Sequence, residues 1–134
     1  MTATHEKYMR LALDEARKAL AKGEVPIGAV VVCHGPARTD TEKEGSNDRV
    51  VARAHNLTET LTDATAHAEM QAVTMAASEL GGKYLTQCTL YVTVEPCVMC
   101  AGALGWAQVP QVVFGCRDEK RGFLTFAPNA LHPK

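Results

Sequence analysis

Three observations predict an α/β sandwich, with one sheet and helices on its faces. Short β-branched apolar runs alternate with stretches whose apolar residues recur every three or four positions. Turn residues punctuate nearly every change of pattern. At 134 residues the chain suits one domain with one core. The expected order is α-β-β-α-β-α-β.

Residues 5–21 read as an amphipathic helix. Met9, Leu13, Ala16 and Leu20 form its stripe, Glu6, Lys7, Asp14, Arg17 and Lys18 face mostly away, and Gly23 is its stop. Residues 27–33 form a strand and 50–54 a returning strand. Between them, 34–49 is polar, an exposed loop insertion that is either solvated or a partner surface. Residues 56–65 are a loop. From Ala66 the pattern turns helical through Met70, Val73, Ala77 and Leu80 to Gly81-Gly82. Residues 88–94 form the next strand, Pro96 opens the first turn of a helix reaching about Ala107, and 112–115 is a last short strand. The tail from Arg117 fits no clear pattern.

Composition narrows the class. The longest apolar runs fall far short of the roughly 20 residues of a membrane span, and residues 1–6 lack the basic flank and apolar core of a signal peptide. Five cysteines without an evident framework point to a reducing, cytoplasmic setting. Cys33, Cys88 and Cys116, in or beside apolar strands, read as buried hydrophobes. A net charge of −1 neither demands nor excludes a nucleic-acid partner.

The chemistry gathers where a strand stops and a helix begins, at Glu95-Pro96-Cys97-Val98-Met99-Cys100. Cys97 and Cys100 share one helix face, close enough to grip one metal ion, and the positive end of the helix favours thiolates. His67 offers a third ligand, which leaves an open fourth position, as in catalytic rather than structural zinc sites. Water bound there becomes acidic enough to serve as a nucleophile. Glu69, two residues from His67, can carry protons without binding the metal. Taken alone, His67 reads as a helix-cap or core histidine. Taken alone, the cysteines read as a redox pair or half of a structural zinc site. Joined as His-x-Glu followed by Pro-Cys-x-x-Cys, they form the zinc deaminase signature.

The chain resembles the cytidine deaminase superfamily, and within it the bacterial tRNA-specific adenosine deaminase branch. The resemblance rests on Glu24-Val25-Pro26-Ile27-Gly28-Ala29-Val30, Ala54-His55-Asn56, Thr65-Ala66-His67-Ala68-Glu69, the block from Glu95 to Ala103, and Val113-Phe114-Gly115-Cys116-Arg117-Asp118. It implies a three-layer α-β-α sandwich with a single mixed sheet, over one domain spanning 1–134. It implies a hydrolase in which His67, Cys97 and Cys100 bind one Zn2+ per chain and Glu69 is the proton shuttle. A zinc-activated hydroxide then attacks C6 of the wobble adenosine in a tRNA anticodon stem-loop, and ammonia leaves to give inosine. The resemblance further implies that Val25, Pro26 and Ile27 wall the base pocket and that Ala68 offers its backbone N–H to the hydroxide. Asp118 corresponds to a position near the RNA backbone. Asn56 matches a base-binding asparagine, beside the plainer reading of a left-handed turn residue. Lys120 and Arg121 read equally as phosphate contacts or a solvated turn. A cytoplasmic homodimer with no membrane association is implied as well.

Three departures stand out. Leu104-Gly105-Trp106-Ala107-Gln108 replaces a histidine-serine-arginine stretch, with Trp106 read as core, dimer interface or a stacking platform. The 34–49 insertion is unusual. The sequence reaches Lys134 where the family is expected to continue into an RNA-binding helix. The alternative within the same chemistry is a deaminase of a free base or nucleoside, such as guanine, cytosine or cytidine.

Overall fold

A computed structural model describes residues 2–35 and 47–131. Helix α1 (Ala3–Ala21) starts at Thr2, whose hydroxyl accepts the His5 N–H at 3.1 Å. Strands β1 (Gly28–His34) and β2 (Asp48–His55) form an antiparallel pair. Helix α2 (Ala68–Leu80) closes on Gly81, which adopts φ 71 as a left-handed cap. Strand β3 (Cys88–Val94), helix α3 (Val98–Trp106), strand β4 (Gln111–Cys116) and a short helix α4 (Phe123–Phe126) complete the order.

The sheet runs β2-β1-β3-β4, with β1 antiparallel to both neighbours and β3 parallel to β4. It is therefore the single mixed sheet that the resemblance implies. Alternation along the two central strands divides their side chains between two helical layers. Val30, Val32 and Tyr91 pack with Tyr8, Met9 and Ala12 of α1. Ala29, Val31, Leu90 and Val92 face Ala68, Ala72 and Ala76 of α2 and Leu104 of α3.

Met9 and Ala16 of the expected α1 stripe are buried, but the face turns away from its two leucines. Leu13 and Leu20 are 42% and 63% exposed, while Ala12 and Ala19 are fully buried. Beyond Met9 small residues win this face because the helix backbone lies almost on the sheet. A Cβ at Gly28 would collide with the Ala12 carbonyl oxygen and lie 2.5 Å from the Ala16 nitrogen. Larger side chains between them would push the layers apart.

Further points differ from the sequence reading. Asp48 and Arg49 belong to β2, paired with His34 and Cys33, and the pairing shifts at Val31/Val32 so that Val51 is an extra residue on β2. The rest of the anticipated 34–49 loop, residues 36–46, lies outside the described residues. Pro96 precedes the helix rather than opening its first turn, and the N-cap is Cys97. Cys116 is exposed, not a buried hydrophobe, and Trp106 is 85% exposed, which removes it from the core.

The parallel pairing of β3 and β4 positions the site. It sets Val94 beside Cys116, so residues 95–97 and 117–123 leave the sheet together. The Glu95 N–H donates to the Cys116 carbonyl at 2.9 Å, and the Phe123 N–H to that of Pro96 at 3.0 Å.

Candidate metal centre and active site

Two helix starts meet at this end of the sheet. His67 is the N-cap of α2 and Cys97 the N-cap of α3, and neither side chain caps its own helix. Both are therefore free to face each other. His67 Nδ1 lies 3.5 Å from Cys100 Sγ and 3.7 Å from Cys97 Sγ, and the three donor atoms fall within 4.8 Å of one another. Tetrahedral zinc, with bonds of about 2.3 Å to sulfur and about 2.1 Å to nitrogen, sets such donors about 3.5–3.8 Å apart. The donor set and its spacing fit that ion.

The electrostatics agree with a shared site. The Cys97 thiol is pulled down to about 5, first by a hydrogen bond from Cys100, against burial, and then by the Cys100 and Met99 amides. Cys100 is pushed up by the same bond and by its burial. Both shifts arise because the two sulfurs face each other, and a divalent cation bound between them favours both as thiolates.

Glu69 occupies the second residue of α2 and is 5% exposed. Because His67 is an extended N-cap (φ −72, ψ 157), helical spacing does not separate the two side chains. Burial pushes the Glu69 carboxyl above its usual range, against its own backbone N–H, with the Cys97 charge adding to the rise. A carboxyl displaced in that direction is better suited to exchange protons near neutral pH.

A cavity of about 690 Å3 opens in front of these groups. His67, Cys97, Glu69 and Ala68 line it, and Val25, Ile27, Asn56 and Asp118 also border it. Pro26 does not line the cavity and is exposed. Asn56 is 5% exposed and sends its side-chain amide to Thr58 Oγ1 at 3.2 Å. Among the described residues only Thr62 and Gln108 combine a side chain with positive φ, so the turn explanation for Asn56 fails. Asp118 Oδ1 accepts the Lys120 and Arg121 amides at 3.2 and 3.0 Å, folding a turn that brings Arg121 to the cavity wall.

Two buried carboxylates that the sequence reading left without a role hold segments of the cavity wall in place. Glu24 accepts the Glu59 N–H at 3.0 Å and both the N–H and hydroxyl of Thr60 at 2.7 Å. Glu95 accepts Arg117 Nε at 2.6 Å and the Asp118 and Leu124 amides at 3.1 and 2.9 Å. The Thr60 hydroxyl chiefly holds Glu24 below the ordinary carboxylate range. For Glu95, burial opposes ionisation, but the Leu124, Arg117 and Asp118 bonds outweigh it and lower its carboxyl. A Cβ on Gly122 would strike the Glu95 carboxylate, so a glycine is required there. An acidic residue beside an apolar run, Glu24-Val25-Pro26-Ile27 and Val94-Glu95-Pro96, was the available signal in both cases.

Residues 2–116 match the family model described as the cytidine and deoxycytidylate deaminase zinc-binding region. A tRNA-specific adenosine deaminase of Aquifex aeolicus is 43% identical over 126 residues, covering 94% of this chain and 75% of the relative. One from Bacillus subtilis is 49% identical over 117 residues, covering 87% of the chain and 65% of the relative, so the chain spans just under two thirds of that protein. Among solved structures, a tRNA:A34 deaminase studied for A-to-I editing at the wobble position superposes with a TM-score of 0.78 at 42% identity, covering 91% of this chain and 84% of that one. A guanine deaminase from Bacillus subtilis superposes at 0.70 with 32% identity, covering 87% and 66%. With its donor set, its mixed sheet and these matches, the chain belongs to the cytidine and deoxycytidylate deaminase family, and its cofactor is zinc.

Proposed function

We propose that this chain deaminates the wobble adenosine of a tRNA anticodon stem-loop to inosine, by hydrolysis, as a cytoplasmic homodimer. The observation that carries the reading is the arrangement of donor groups beside the cavity. One nitrogen and two sulfurs converge, and a buried carboxyl that is not part of that donor set stands beside them. The names of the relatives and of the similar solved structure support the substrate.

His67, Cys97 and Cys100 hold the ion in this reading. When bound, zinc supplies the Lewis acidity that makes water a nucleophile near neutral pH. Glu69 takes a proton from the water and returns it to the departing amine, so adenosine and water become inosine and ammonia. Ala68 directs its N–H toward the reacting oxygen, Asn56 holds the edge of the base, and Val25 and Ile27 flank it. Pro26, being exposed, acts only through the backbone that carries its neighbours. A target base must be splayed from its loop to enter such a cavity. Asp118 organises the turn at the cavity wall, where Lys120 and Arg121 are placed to meet phosphates.

Exposed apolar side chains on α3 and α4 support the homodimer: Trp106 at 85%, Phe126 at 62%, Val98 at 41% and Met99 at 38%. Among the described residues no helix is long and apolar enough to cross a membrane.

The similarity to a guanine deaminase favours one second reading, a free base as substrate. Inosine formation in an arginine-tRNA anticodon stem-loop, run beside ammonia release from guanine, cytosine, cytidine and adenosine, separates the two. Inosine in the RNA alone supports the proposal. Turnover confined to a free base or nucleoside overturns it. Glu69→Gln is expected to keep zinc and fold while losing about 10^2–10^4 in turnover. Retained turnover would remove Glu69 from the chemistry.

A further inference from the structure

The opposite end of the sheet holds a second pair of cysteines that the deamination chemistry does not use. Cys33 and Cys88 are direct partners across the antiparallel β1–β3 pair. Both belong to the face that packs under α2, Cys88 inside that core and Cys33 at its margin. The His34 N–H donates to the Gln87 carbonyl at 2.8 Å. The next pair outward, His34 with Gln87, is thus hydrogen-bonded. Pairs alternate in an antiparallel ladder, which makes Cys33 and Cys88 a non-hydrogen-bonded pair. Such pairs bring Cα atoms to about 4.5 Å, inside the range of about 4.4–6.8 Å that disulfides span. Burial raises the Cys88 thiol, and the Cys33 thiol is close enough to add to the rise.

We propose that Cys33 and Cys88 form a reversible oxidation site, closed to a disulfide by peroxide and reopened by a dithiol reductant. The inference does not depend on which substrate the enzyme takes. Cys33 is the partly exposed member, and Cys88, buried in the sheet, also borders a separate cleft with His34, Thr89 and Gln111. The Cys33 sulfur attacks peroxide, the O–O bond breaks, and one water leaves as a sulfenic acid forms. The Cys88 thiol then displaces the sulfenic oxygen as a second water, and the S–S bond closes. Two thiols are oxidised and one peroxide is reduced. Cys88 resists attack on its own account, because burial first and then the neighbouring Cys33 push its thiol up to about 11. This order of events makes Cys33 the sensor and Cys88 the resolving partner.

The clasp ties the two central strands together at the end remote from the metal group, since β3 begins at Cys88 and the metal ligands follow its other end. It constrains the unfolded chain without touching the cavity.

The test uses the zinc-loaded full chain carrying Cys116→Ser, which removes the exposed thiol. After hydrogen peroxide, the free thiols are alkylated and a non-reducing digest is examined by mass spectrometry. The expected product is a cross-linked peptide pair containing positions 33 and 88, with zinc retained and the melting temperature raised by about 5 °C. Dithiothreitol reverses both changes. Cys33→Ser and, as an apolar replacement that suits the core, Cys88→Ala each abolish the cross-link and the shift. Three results overturn the proposal: both thiols stay alkylatable, Cys33 proceeds to sulfinic acid with Cys88 free, or Cys97 and Cys100 cross-link first with loss of zinc.

Discussion

Two cysteine pairs in this chain sit in opposite surroundings. Cys97 and Cys100 stand at the start of α3, where the neighbouring thiol first and then amide N–H groups bring Cys97 down to about 5. Cys33 and Cys88 stand across two strands, where burial and the neighbouring thiol take Cys88 up to about 11. The side chains are the same; the supply of unspent backbone donors is not. A helix start offers N–H groups with no partner within the helix, whereas a central strand has committed its own to the ladder. One pair therefore favours a thiolate at Cys97 and a cation beside it, and the other holds Cys88 as a neutral thiol that can become part of a covalent bond.

The largest expected effect tests the first half of that contrast. Cys100→Ala is expected to drop zinc from one per chain to near zero and deamination by more than about 10^3, read by metal analysis and inosine formation. Full zinc occupancy in the variant would mean that another donor completes the site and that the helix start is not decisive. The next effect concerns the wall rather than the ligands. Glu95→Gln weakens the bonds from Arg117 and two amides, so about 1–3 kcal/mol of stability and roughly tenfold in kcat/KM are expected to go. Urea melts and steady-state kinetics measure the two losses, and a variant indistinguishable from wild type would show that the 117–124 turn holds without this carboxylate.

Stability of the zinc-free protein against pH sharpens the comparison. Cys97 is depressed on folding, so its contribution is complete above the unfolded thiol value of about 8.5 and fades as pH falls toward about 5. Cys88 is raised, so its contribution is complete below about 8.5 and fades as pH rises toward about 11. Opposite slopes are expected on the two sides, with Cys97→Ser flattening the acid limb and Cys88→Ala part of the alkaline one. Matching slopes in wild type and variants would break the contrast. The smallest effect belongs to Cys33→Ser in the reduced protein, a half-buried change at the sheet margin. About 1 kcal/mol or less of stability and under about twofold in rate are expected.

Much of this was legible along the chain, and the misses have identifiable causes. The strand at Cys88–Val94 coincides with the apolar run, because a fully buried β-branched segment bounded by turn signals has few other structures open to it. The donor triad could be named from spacing, since His67 and the two cysteines each follow a short segment into a helix start. On α1, periodicity finds Met9 and Ala16 but also weighs the large Leu13 and Leu20, whereas contact with Gly28 demands small residues. The resemblance implies that Pro26 walls the cavity with Val25 and Ile27, yet only its two neighbours line it. Glu24 and Glu95 went without a role because a buried carboxylate is recognised only by its donors, and theirs come from residues far along the chain.

By itself the sequence determined the layered α/β architecture, the residues able to hold zinc and the carboxyl able to carry protons. Local periodicity and the chemistry of side chains are written in neighbouring residues. Only the tertiary structure decided which carboxylates build the cavity walls, how closely α1 approaches the sheet, and that Cys33 meets Cys88. Those outcomes depend on strand register and layer spacing, which arise from contacts between residues distant in sequence and so leave no local pattern to read.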